Sequence, residues 1–361
     1  MFSPRWTRRL VMAAVVMAIL AALIALVPGS TTWWVPAVLI LGLGFLGYRY
    51  RAYPQSALNQ VRSLRSYSQP RSMSLEQTPS RLGLHYTIGV GEDSSEPSDN
   101  ELRQLESPWK PPAPRGATDH PVAIAQDGLR RYARFLYTGD ERFLDQALAA
   151  GRLLVELQHQ DGAWRYSFPW KELPAGWVSA MAQGEGISLL LRLHQETAEG
   201  DLLESARRAY RFMMKPVADG GTLGDFPDGS PVLEEYPLMA SSPHTLNGSI
   251  FALWGVRDFA LVTDDAEAAR SFDQLAQSLA DHLDDYDTGQ WTYYSLAAQS
   301  PIRATPRYHS IHVVQARVMA ELTGDQRWDD ASRRWADYHE AAASMSLLEW
   351  AIRDIRERLR A

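Results

Sequence analysis

From Pro121 onward, apolar residues recur at three- and four-residue spacing, the period of one helix face. The pattern predicts helices in pairs: about 121–137 with 141–158, 178–197 with 201–215, 244–262 with 266–284, and 308–322 with 326–342. The joints within the pairs look alike. Thr138-Gly139-Asp140 and Thr323-Gly324-Asp325 are near copies, with Thr197 to Asp201 and Thr263-Asp264-Asp265 as looser versions. Gly is expected to end one helix in a left-handed conformation, and Asp to cap the N–H groups of the next. The returns between pairs are longer and rich in Gly and aromatics, and 161–166, 220–226 and 287–294 each read as a small hairpin. The expected fold class is all-α: an incomplete α/α toroid of about four helical hairpins with short β-hairpin-like rim loops.

The pattern is different before residue 119. Leu10 to Val27 is an unbroken apolar run behind Arg5, Arg8 and Arg9, and a second run extends from Thr31 to Tyr48 and ends in Arg49 and Arg51. Pro28-Gly29-Ser30 forms the turn between them, and Trp33, Trp34, Tyr48 and Tyr50 sit where interfacial aromatics belong. Residues 1–51 therefore read as a transmembrane hairpin anchor, in a membrane of the bacterial inner-membrane kind. The positive charges outside both ends place the rest of the chain on the cytoplasmic side. Residues 52–118 carry Pro, Ser and charge with little periodicity and read as a mostly unstructured tether, with one short strand at 82–88. The helical domain covers 119–345, and 346–361 reads as a charged C-terminal helix.

Composition narrows the partners. A net charge of −7 without a basic run in the soluble part argues against nucleic acid, which needs a concentrated cationic surface. Twelve Trp and fifteen Tyr suit sugar faces as well as a core. With no Cys there is no disulfide, thiolate metal site or Cys nucleophile. His309 and His312 stand three apart at a helix start, close to a metal-ligand spacing, but no third ligand is evident nearby and hydrogen-bonding roles are favoured.

Six segments carry a more specific signal, in this order: P-V-A-I-A-Q-D-G-L from Pro121, W-V-S-A-M-A-Q-G from Trp177, E-E-Y-P from Glu234, S-S-P-H-T-L-N-G from Ser241, and the pair Y-D-T-G-Q-W-T-Y-Y-S-L and R-Y-H-S-I-H ending at His312. Together they resemble the C-terminal domain of the D-glucuronyl C5-epimerase family, across about Pro121 to Tyr338. The resemblance implies a polysaccharide uronyl C5-epimerase, converting D-glucuronate to L-iduronate within a polymer, with no organic cofactor. A divalent cation such as Ca²⁺ is left open, as is a homodimer or a partner in a polysaccharide synthesis complex.

That reaction removes a proton from the carbon beside a carboxylate, so the site must neutralise the carboxylate and set a base and an acid on opposite sugar faces. By matching positions the resemblance implies Glu235, Tyr236, Tyr294 and Tyr308 as catalytic residues. Tyr308 and one of Glu235 or Tyr294 would stand on opposite faces, with Tyr236 bonding to substrate. Gln183, Asn247, His309 and Trp177 are implied as substrate contacts. The family's Y-D-L-R segment is here Tyr294-Ser295-Leu296-Ala297, so its Arg is missing, and Arg303, Arg307 and Arg165 are the candidates to replace it. The β-rich domain that precedes the helical one in family members has too little sequence here to form. Two other readings stay open: a polysaccharide lyase or glycoside hydrolase on the same scaffold, and a non-catalytic glycan-binding subunit.

Overall fold

The computed structural model describes residues 110, 120–237, 242–297 and 301–344. Eight helices form in four consecutive pairs: α1 (Pro121–Thr138) with α2 (Glu141–Leu157), α3 (Ala180–Thr197) with α4 (Gly200–Met213), α5 (Leu246–Thr263) with α6 (Ala266–Asp281), and α7 (Pro306–Thr323) with α8 (Gln326–Ser344). The first members of the pairs lie side by side in chain order, α1 on α3, α3 on α5 and α5 on α7. This is the hairpin array that the apolar period predicts. The two N-terminal apolar runs, the tether apart from Lys110, and 346–361 lie outside the described residues. Among the described residues no helix is long and apolar enough to cross a membrane.

Inner and outer helices differ in sequence for a physical reason. The outer α4 buries Leu202, Ser205, Ala206, Ala209, Phe212 and Met213, a single stripe at helical spacing flanked by half-buried Leu203 and Tyr210, and most of the rest is charged. The inner α3 buries every residue from Ala180 to Leu193, so most of them are small or apolar, and the larger polar ones, Gln183, Glu185 and Arg192, meet partners inside the fold. Its closest neighbour is α5. A Cβ added at Gly255 would lie 2.5 Å from the Gly184 Cα, and one at Gly184 would lie 2.8 Å from the Phe251 carbonyl oxygen, so the two backbones meet directly. Farther along the same seam, Arg192 Nη1 meets Asp258 Oδ2 at 2.6 Å with both side chains buried.

The joints follow the predicted chemistry with two departures. Gly139 and Gly324 end α1 and α7 at φ +69° and +68°, and the Asp140, Asp265 and Asp325 carboxylates accept from backbone N–H groups of the next helix. At the other two joints the left-handed residue is Ala198 or Asp264. Asp201 does not cap α4: it lies within the first turn behind Glu199, which makes no side-chain cap bond. The rim also departs in part. β1 (Leu223–Asp225) pairs with β2 (Pro231–Leu233), and β3 (Tyr293–Ser295) with β4 (Ile302–Arg303), but 161–166 forms no strand. The chain turns instead at Trp170 to Leu173, which exchange two backbone hydrogen bonds of 2.8 and 2.9 Å.

Candidate active site

The long returns all lead into the N-terminal ends of inner helices, and there the motifs converge. Glu234, Glu235 and Tyr236 follow β2 directly. Leu233 O accepts from Ser249 Oγ of α5 at 2.6 Å, and Glu234 O accepts from Ala180 N at the start of α3 at 3.1 Å. The β3 strand is tied to the same region, since Leu296 N donates to Pro243 O at 2.8 Å. Gly248, in the first turn of α5, faces Glu235: a Cβ there would lie 2.7 Å from the Glu235 Cβ and Cδ. The glycine of L-N-G therefore makes room for the carboxyl that E-E-Y-P supplies.

Glu235 is the centre of the cluster. It is 7% exposed, and its Oε2 is buried without a hydrogen-bond partner. Burial pushes its pKa up to about 7, against the opposing effect of the Tyr236 and Tyr294 hydroxyls and the Lys171 charge. The two hydroxyls stand 3.3 Å apart. Tyr308, at the start of α7, brings its ring to 4.7 Å from that of Tyr294. Burial raises the pKa of all three phenols, with Glu235's charge adding to it, so each holds its proton at neutral pH. The cluster can thus offer one carboxylate as a base and several phenols as donors.

The structure brings Trp177 to this cluster but encloses it. Its ring stacks on Tyr166 at 3.6 Å, its Nε1 donates to Phe168 O at 2.9 Å, and its ring centre lies 5.9 Å from that of Tyr236. Arg307 is exposed beside Tyr308 and pulls that phenol's pKa down slightly against burial. Asn247 is buried in α5 with Oδ1 lacking a hydrogen-bond partner.

Other expected contacts are engaged elsewhere. Gln183 is fully buried: Oε1 accepts from Trp164 N at 2.9 Å and Nε2 donates to Gly162 O at 3.1 Å, so it fastens the 162–164 turn to α3. Arg165 pairs with Asp161 at 2.6 Å and also bonds Gly176 O. Arg303 lies over the Trp291 ring at 5.3 Å. His309 is also fully buried, with Nε2 on Trp335 O at 3.0 Å and Nδ1 on Thr292 Oγ1 at 2.9 Å. The carbonyl requires N–H at Nε2, so His309 Nδ1 accepts the Thr292 proton and His312 Nδ1, 3.0 Å away, donates to the same oxygen. This chain locks α7 against β3 and α8. Burial holds both imidazoles neutral, pushing His312 down to about 3. Among the described residues no group of three side chains is arranged to hold a metal ion.

Sequence reasoning missed Glu185. It lies in α3 at 1% exposure, one oxygen accepting from Gln126 Nε2 at 3.0 Å and the other buried with no partner. Desolvation, with a smaller contribution from the Glu235 charge, pushes it up to about 8. The signal was an acid between two glycines, Q-G-E-G-I, near the start of a helix whose first fourteen residues are all buried. Glu234 was passed over too. It is fully buried with His244 Nδ1 2.6 Å from its Oε1, and His244 is held at φ +41°.

The profile of the D-glucuronyl C5-epimerase C-terminus matches residues 158–337. A D-glucuronyl C5-epimerase of Caenorhabditis elegans is 33% identical over 214 residues, which is 53% of this chain and 34% of that protein. This chain therefore matches only about a third of that relative's length. An uncharacterised protein of Methanocaldococcus jannaschii is 26% identical over 212 residues, 55% of this chain and 68% of its own. In fold, the chain resembles a sugar epimerase from a ruminal bacterium, with a TM-score of 0.53 at 12% identity over 78% of this chain and 74% of that one. It also resembles the cellobiose 2-epimerase of Bacillus thermoamylovorans, with a TM-score of 0.50 at 13% identity over 67% and 69%. The helical domain of this chain belongs to the D-glucuronyl C5-epimerase family, as its C-terminal domain.

Proposed function

We propose that this chain is a carbohydrate-modifying enzyme, specifically a uronyl C5-epimerase acting on glucuronate within a polysaccharide. The observation that carries this reading is a buried carboxyl, Glu235, set among the three protonated phenols of Tyr236, Tyr294 and Tyr308. Ionised Glu235 takes the C5 proton and becomes a carboxylic acid, while the C5–H electron pair moves into the sugar carboxylate to form an enediolate. Tyr308 then gives its phenol proton to C5 from the other face and is left as phenolate. The proton on Glu235 returns to it through the Tyr236 and Tyr294 hydroxyls, 3.3 Å apart, and the site is restored. Each phenol has its pKa raised, which fits donors better than bases.

Incubation with a glucuronate polymer in D₂O, followed by NMR at C5 and by chain length, tests this. Deuterium at C5, iduronate signals and intact chains are expected. Shortened chains with ultraviolet-absorbing unsaturated ends would indicate a lyase, and shortened chains with plain reducing ends a hydrolase. Binding without deuterium incorporation would indicate a glycan-binding subunit.

A further inference from the structure

The turn at Trp170 to Leu173 is an unusual structure for a rim loop. Its two central residues are Lys171 and Glu172, and Lys171 sits at φ +51°, a left-handed conformation that a two-residue reversal demands and that a lysine adopts reluctantly. The turn is held from below. Leu173 is 1% exposed and packs in one cluster with Tyr166, Trp177 and Ala182, against which Phe168 and Tyr236 rest. Tyr166 and Trp177 also bond to each other through the backbone, with Tyr166 N on Trp177 O at 3.0 Å. One side of the turn is thus fastened beside the candidate catalytic residue Tyr236. Its other side faces solvent, with Trp170 41% exposed and Lys171 and Glu172 exposed.

We infer that Lys171 and Trp170 form a sugar-binding corner, in which Lys171 contacts the carboxylate of the uronate and Trp170 offers its face to a sugar ring. The inference rests on the reading of the site given above in taking an acidic sugar as the ligand. The chemistry calls for a cation there. Proton removal beside a carboxylate builds further negative charge on that group, and a fixed positive charge stabilises it. Of the three basic residues expected from sequence, Arg165 is paired with Asp161, Arg303 lies over Trp291, and the charge of exposed Arg307 acts on Tyr308. The positive charge that does reach Glu235 is that of Lys171, whose effect on the carboxyl is to lower its pKa. Trp170 is 41% exposed on a fastened turn, and the flat face of such a ring suits the C–H face of a pyranose.

The test measures binding, so it does not depend on turnover. Wild type, Lys171→Ala, Lys171→Arg and Trp170→Ala are titrated with a glucuronate polymer and with the same polymer after reduction of its carboxylates to alcohols. Wild type should prefer the acidic polymer by about tenfold, the scale of one charge-assisted hydrogen bond. Lys171→Ala should lose that preference, Lys171→Arg should keep most of it, and Trp170→Ala should weaken both polymers alike. An unchanged preference in Lys171→Ala, equal affinity of wild type for the two polymers, or binding of neither overturns the inference. Parallel C5 exchange separates the two proposals: a lost carboxylate preference with no exchange in wild type would retain the corner and reject the epimerase.

Discussion

Gly248 of α5 faces the Glu235 carboxyl so closely that a single methyl group would stand 2.7 Å from its Cβ and Cδ. A side chain at 248 therefore cannot enter without moving the carboxyl. Gly248→Ala should displace Glu235 and reduce C5 exchange at least tenfold, with a stability loss of about 1–3 kcal/mol from overpacking. Exchange rates read beside urea unfolding check both halves. Full activity in a stable Gly248→Ala variant would show that the carboxyl need not sit where it does.

If Glu235 is the base, activity requires it ionised. With its pKa at about 7, kcat/KM should rise roughly tenfold per pH unit below that value and level off above it. The raised phenols predict no falling limb through at least pH 9. A pH–rate profile that falls with rising pH across 6 to 8 would assign the carboxyl to the acid role. Glu235→Gln should lower the rate by about 10²–10⁴ while leaving the circular dichroism of the fold intact.

Glu185 makes a separate prediction about stability. The folded chain holds its proton up to about pH 8, whereas the ordinary value is 4.5, so between those values the folded state binds more protons than the unfolded one. Stability from this group is therefore complete below about pH 4.5 and declines as pH rises toward 8. Glu185→Gln keeps an acceptor for Gln126 and removes the ionisation. Thermal melts at pH 6 and pH 9 should show a larger drop for wild type than for the variant. Equal drops would mean that Glu185 is ionised and compensated within the fold.

The Arg192–Asp258 pair joins α3 to α5 with both charges out of water. Asp258→Ala leaves a buried guanidinium without its carboxylate and should destabilise the domain by about 3–5 kcal/mol. Replacing both, as Arg192→Met with Asp258→Leu, should recover much of that loss. Chemical denaturation of the two variants distinguishes a pair that matters only when broken from one that adds stability in itself.

The helical pairs were legible because their cause is local. Apolar spacing sets which face is buried, and Gly139-Asp140 or Gly324-Asp325 sets where one helix stops and the next begins. Asp201 was misread because an Asp near a helix start can serve as cap or as first-turn residue, and only the backbone path before Glu199 decides. Glu235, Tyr236, Tyr294 and Tyr308 were singled out through a resemblance, not by any pattern of their own, and the structure brings them into one cluster. Polar residues such as Gln183 and His309 were read as contacts because sequence does not say which way a polar side chain points. In the structure their partners lie 17 to 26 residues away, backbone groups for Gln183 and both a backbone carbonyl and the Thr292 hydroxyl for His309. Lys171 gave no signal at all, since an exposed lysine in a loop is the commonest of residues until its turn is seen pinned beside Tyr236.

The direct meeting of α3 and α5 backbones at Gly184 and Gly255 has a further effect on how this domain can vary. Where the two main chains touch, no side chain stands between them to repack, so the seam cannot slide or widen there by small steps. Glu185 on one helix and the Gly248 recess on the other are thereby held at a fixed spacing. Adaptation to a different sugar must then proceed in the returns between helices, where Trp170, Lys171, Tyr294 and Arg303 lie, while the seam keeps the carboxyl chemistry in place.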